Sequence, residues 1–87
     1  MLNYSEGTWA ELTVKEATAL WNELSGAEKD VILQLRAVRW DGYLASKTGR
    51  DGLVTRGLAI RYEGFNALSE HGLILLQALG KLEVLTR

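Results

Sequence analysis

"RGLAIRYEGFNALSEHG", residues 56–72, is the stretch whose reading decides the fold. Arg56-Gly57 closes a helix-like run, after which Leu58, Ile60 and Tyr62 alternate with Ala59 and Arg61. A period of two belongs to a strand. Glu63-Gly64 supplies a tight turn in which Gly64 is free to take positive φ, and Phe65 to Leu68 returns as the second strand. Ser69 then caps a final helix, with Glu70 favourable near its positive end. The stretch is a small hairpin set between two helices.

Upstream, two capping boxes stand before apolar runs of helical spacing. Thr13-Val-Lys-Glu16 opens the first, whose stripe is Ala17, Leu20, Trp21 and Leu24 and which stops at Ser25-Gly26. Ser25-Gly-Ala-Glu28 opens the second. Its apolar residues fall on two sides, Val31, Leu35 and Val38 against Leu33, Ala37 and Trp40, which predicts a central helix buried on two faces and ending near Asp41-Gly42. Residues 43–49 fit either a short strand or one helical turn. Arg50 to Arg56 is expected to be a short helix with Leu53 and Val54 inward, although Gly52 inside it is unfavourable by about 1 kcal/mol relative to Ala. In the last helix Leu73, Leu76 and Leu79 are expected to face the core, and Gly80 to fray its end.

At 87 residues the chain is one domain, and its 47% apolar content is that of a folded one. With no Cys, a disulfide, a thiolate nucleophile and a Cys-based zinc site are excluded. The N-terminal residues have neither the basic flank nor the apolar core of a signal peptide, and no apolar run approaches the roughly 20 residues of a membrane span. A cytoplasmic location is expected. Net charge is −1, but unevenly spread. Arg36, Arg39, Lys47, Arg50, Arg56 and Arg61 against Asp41 and Asp51 make the middle basic between acidic ends. That distribution suits an anionic partner, or simply solvated helix faces.

The passage "LVTRGLAIRYEGFNALSEHGLILLQAL" (53–79) resembles the second half of a winged helix-turn-helix domain, with "LVTRGL" before the hairpin and "LSEHG" after it. "LSGAEKDVILQL" (24–35) is similar to the opening helix of the MarR and PadR repressors, and "YLASKTG" (43–49) to their positioning helix. The resemblance covers roughly residues 25–80. It implies a mainly α fold with a small β-hairpin (α+β), winged-helix-like, and with an extra N-terminal helix. Residues 1–24 are then an N-terminal helical segment and possible dimer element, 25–80 the winged-helix-like domain, and 81–87 a tail. One departure is plain: the about sixteen residues from Asp41 to Arg56 hold one good helix or two very short ones, so the recognition region is shortened.

Under this resemblance the hairpin is a wing, and the protein is a DNA-binding or nucleic-acid-associated regulator working as a homodimer. Lys47, Arg50, Arg56 and Arg61 are the candidate contacts to phosphate, and the Glu63-Gly64 tip would approach the duplex. Tyr62 and Phe65 flank the tip and either stack on a partner or close the core beside Trp40; Trp9 and Trp21 are the candidate dimer contacts. The alternative is a protein-binding module on the same scaffold, like phage-encoded inhibitors and adaptors, which the shortened recognition region and acidic balance favour. No catalytic residues, metal or cofactor are expected. The single histidine, His71, cannot furnish the three or four ligands of a metal site. Ser69-Glu70-His71 are neighbours on one helical turn, not an oriented relay. The chain is therefore expected not to be an enzyme.

Overall fold

The structure, a computed structural model, describes residues 12–82. Four helices and three short strands follow in the order α1 (Val14–Glu23), α2 (Gly26–Gln34), β1 (Arg39–Trp40), a 3-10 turn (Asp41–Tyr43), α3 (Lys47–Thr55), β2 (Ala59–Tyr62), β3 (Phe65–Leu68) and α4 (Glu70–Ala78). Both capping boxes form. The Thr13 hydroxyl accepts from the Glu16 N–H at 3.1 Å, and the Ser25 hydroxyl from the Glu28 N–H at 3.1 Å, with each glutamate returning to the cap N–H. Ser69 caps α4 as expected, and Ser46 caps α3. The result is mainly helical, with a small antiparallel hairpin and an additional N-terminal helix: a winged-helix-like fold.

The core joins the four helices to the inner side of the hairpin, with nothing from β1 or the 3-10 turn. Ala17, Leu20 and Leu24 of the first helical segment meet Val31, Ile32 and Leu35, together with Leu53, Leu58, Ala59, Leu75 and Leu76. Gly49 and Gly52 lie one turn apart on the side of α3 that meets α2. A Cβ on Gly49 would stand 2.6 Å from the Ala27 carbonyl oxygen, and one on Gly52 would collide with the Glu28 carboxylate. The glycine that weakens the helical reading of α3 is thus what allows the close packing of two helices.

Several expectations are corrected. The central helix stops at Gln34 instead of reaching Asp41-Gly42. The Arg36 Nε donates to the Leu33 carbonyl at 2.8 Å and the Arg39 Nε to the Gln34 carbonyl at 3.2 Å, so two arginines satisfy its last carbonyls. The residues beyond form β1, a third strand, giving the order β1-β3-β2. Val38 and Trp40 are consequently exposed, not core. Helix α3 begins at Lys47, ahead of Arg50, and its inner face is Gly49, Arg50 and Leu53, which leaves Val54 outside. In α4 the inner face is Gly72, Leu75 and Leu76, which leaves Leu73 exposed. Gly80 does not fray the helix. Its N–H reaches the Gln77 carbonyl at 3.1 Å and the Lys81 N–H reaches the Leu76 carbonyl at 2.8 Å, the bond pair of a Schellman stop.

Candidate binding surface

The hairpin turn has both central residues at positive φ, Glu63 at 51° and Gly64 at 90°, the condition for the two-residue turn whose twist matches paired strands. It fixes the register Tyr62↔Phe65 and Ile60↔Ala67. On the other side of β3, Trp40 stands opposite Phe65 and Arg39 opposite Asn66. Residues directly opposite share a face, so Trp40, Phe65, Tyr62, Ile60 and Ala67 lie together on one side of the sheet. Ala59, Arg61, Asn66 and Leu68 lie on the other, toward the helices.

The outer side carries the large apolar groups in the open. Tyr62 is 73% exposed, Ile60 55%, Phe65 52% and Trp40 46%. Trp40 and Phe65 meet edge to face with centroids 4.8 Å apart, and the Trp40 ring also lies over Gly64, which it buries. Tyr43, on the adjoining turn, is exposed as well. The Gln34 side chain holds that turn in place, donating to the Tyr43 carbonyl at 3.0 Å and accepting from the Ala45 N–H at 2.6 Å.

Beneath the sheet is a polar cluster. Asp41 Oδ1 accepts from Arg50 Nη1 at 2.9 Å, Asn66 Nδ2 at 2.9 Å and Arg61 Nε at 3.0 Å, and Arg61 Nη2 binds Oδ2. Asn66, wholly buried, also accepts from Arg50 Nη1 at 3.1 Å and donates to the Arg39 carbonyl at 3.1 Å. Four side chains from the 3-10 turn, α3, β2 and β3, with the Arg39 carbonyl of β1, thereby satisfy one another and hold the hairpin to the helical body. The Arg61 hydrogen bond, followed by that of Asn66, holds the Asp41 carboxyl well below the usual carboxylate range, and the same pairing raises Arg61. Burial works to raise Glu28, but the Arg56 guanidinium and the Ser25 N–H outweigh it and hold it below its ordinary value. A carboxyl depressed in the folded state adds stability above its unfolded pKa and loses that contribution as pH falls through the folded value. The thermal midpoint is therefore expected to fall with acidification below about pH 4 and to be flat above it. Scanning calorimetry across that range tests this, with Asp41→Asn expected to flatten the acid limb.

The nominated cations sit in unlike settings. Arg50 is buried and engaged with Asp41, Asp51 and Asn66. Arg56 binds the Glu28 carboxylate at 3.0 Å and the Glu23 carbonyl at 3.2 Å, and Arg61 binds Asp41. Lys47, the first residue of α3, is exposed and has no ion pair or hydrogen bond from its ammonium among the described residues. The structure brings Tyr62, Gly64 and Phe65 together with Trp40 and Ile60, which sequence reasoning did not nominate. Trp40 was hidden by its fit to a helical stripe, and the signal that identifies it is the alternation Val38-Arg39-Trp40. Trp21 is half-buried against the core, with the Lys29 and Lys81 ammonium groups 5.7 and 5.1 Å from its ring. Trp9 lies outside the described residues. Among the described residues no group of three His, Cys, Asp or Glu is placed to hold a metal ion, and no helix is long and apolar enough to cross a membrane.

No family model, no curated protein and no solved structure matches the chain. The likeness to winged-helix domains is one of architecture: an opening helix, a short strand, a helix, a hairpin paired in the order β1-β3-β2, and a closing helix.

Proposed function

We propose that the chain is a non-catalytic, winged-helix-like binding module whose partner is a protein, met through the outer face of the sheet. One observation carries this. The face formed by Trp40, Phe65, Tyr62, Ile60 and Ala67 is exposed and bears no charge. A sheet with one face in water normally alternates apolar inward and polar outward. Here the outward positions hold three aromatic rings and an isoleucine, residue types that concentrate at the centres of protein interfaces.

The DNA-binding role implied by the MarR and PadR resemblance requires cations free to meet phosphate. Arg50, Arg56 and Arg61 instead pair with the chain's own carboxylates, and the exposed side of α3 mixes Lys47 and Thr48 with Asp51 and Thr55. These features favour the protein partner. The test is fluorescence anisotropy with a labelled random-sequence duplex over a range of salt concentrations. The expected result is no binding at micromolar protein in low salt. Binding whose logarithm falls with log salt by about 0.9 per contact, over several contacts, would reverse the assignment in favour of nucleic acid.

A further inference from the structure

We infer that the protein met by the outer sheet face is a second copy of this chain. This rests on the assignment of that face as the contact surface and goes on to name the partner. Each copy presents a three-stranded sheet with helices on one side and nothing among the described residues on the other. Two such sheets laid face to face form a sandwich about 10 Å between layers, in which the aromatic rows interdigitate and both bare faces are covered at once.

Charge and area both suit self-association. In a two-fold contact every patch meets its own copy, so a charged face repels itself unless its signs alternate. The outer face has no formal charge at Trp40, Ile60, Tyr62, Phe65 or Ala67, and exposed Val38, two residues before Trp40, adds none. An acidic or basic target finds no complementary charge there. Aromatic side chains offer about 150–250 Å² each, so three of them half to three-quarters exposed, with Ile60 and Val38, leave roughly 500 Å² per copy. Pairing two copies then covers about 1,000 Å², the lower bound for a specific association and well short of the area of obligate dimers.

Sedimentation equilibrium of the full chain, from low micromolar to sub-millimolar concentration, tests this. Wild type is expected to move from the monomer mass toward twice that mass. Ile60→Lys with Tyr62→Lys places cations at two exposed positions without touching the core, and is expected to weaken dimerisation at least about tenfold with an unchanged far-ultraviolet circular dichroism spectrum. A wild type that stays monomeric throughout overturns the second copy as partner. The broader assignment then has a separate readout: a photo-reactive residue at position 62 should still crosslink to another protein, and that adduct should disappear with Phe65→Lys. A dimer undiminished by the two lysines also overturns the second copy as the occupant of this face, because the contact would lie elsewhere, as on the side of Trp21, and the crosslink from position 62 again decides the broader assignment.

Discussion

Asn66→Leu is expected to lower stability by about 3 kcal/mol, although leucine matches asparagine closely in shape. Asn66 is wholly buried at the centre of the sheet, accepting from Arg50 and donating to Asp41 and the Arg39 carbonyl. The substitution removes these three bonds, and a longer one of 3.5 Å to the Gly64 carbonyl, and leaves their partners in place. Hydrogen bonds to charged groups are worth about 1.5–3 kcal/mol each, and the orphaned partners, close to the surface at Asp41 and Arg39, recover part of that from water. For a domain of this size the loss corresponds to roughly 15 °C in thermal midpoint. The mechanism has its own check. In an Arg50→Met background the further loss from Asn66→Leu should be clearly smaller, since one of the stranded groups is gone, and a double-mutant cycle by urea unfolding measures the difference. Full additivity would mean that the two residues do not act as one network.

Gly64→Val should be of similar size, about 3 kcal/mol, for two separable reasons. Gly64 has φ of 90°, a conformation that a β-branched residue resists. In addition, a Cβ there would stand 2.5 and 2.7 Å from carbons of the Trp40 ring. The ring must swing off the turn, which removes its edge-to-face contact with Phe65 and disturbs the outer face. Trp40→Ala separates the two contributions, because in that background Gly64→Val keeps the backbone strain and loses the collision. The midpoint of urea unfolding, compared across the four proteins, reads both. Equal stability of Gly64→Val and wild type would contradict the turn geometry. An undiminished effect in the Trp40→Ala background would contradict the collision.

The sequence by itself determined the local features. Thr13 with Glu16, Ser25 with Glu28, Ser69, and the Glu63-Gly64 turn are each settled within three or four residues, by bonds whose geometry is the same wherever the segment lies. From these the mainly α fold with its hairpin is legible, as is the place of Tyr62 and Phe65 on either side of the turn, but not whether they face a partner or the core. What the tertiary structure decided lies at longer range. The end of α2 depended on β1 finding β3, since Val38 and Trp40 fit the two apolar stripes of a longer helix and a strand alternation equally well until Trp40 had Phe65 opposite it. The inward face of β2 depended on which side the helices covered, because Leu58, Ile60 and Tyr62 satisfy strand periodicity on either face. The arginines show the same limit. Arg50 and Asn66 are 16 residues apart, Arg61 and Asp41 20, and Arg56 and Glu28 28. Their charges are visible in the chain, but whether a guanidinium meets solvent or a carboxylate of its own protein is decided by packing. Only packing turned Arg50, Arg56 and Arg61 of the basic middle into internal ion pairs and left an uncharged aromatic face exposed.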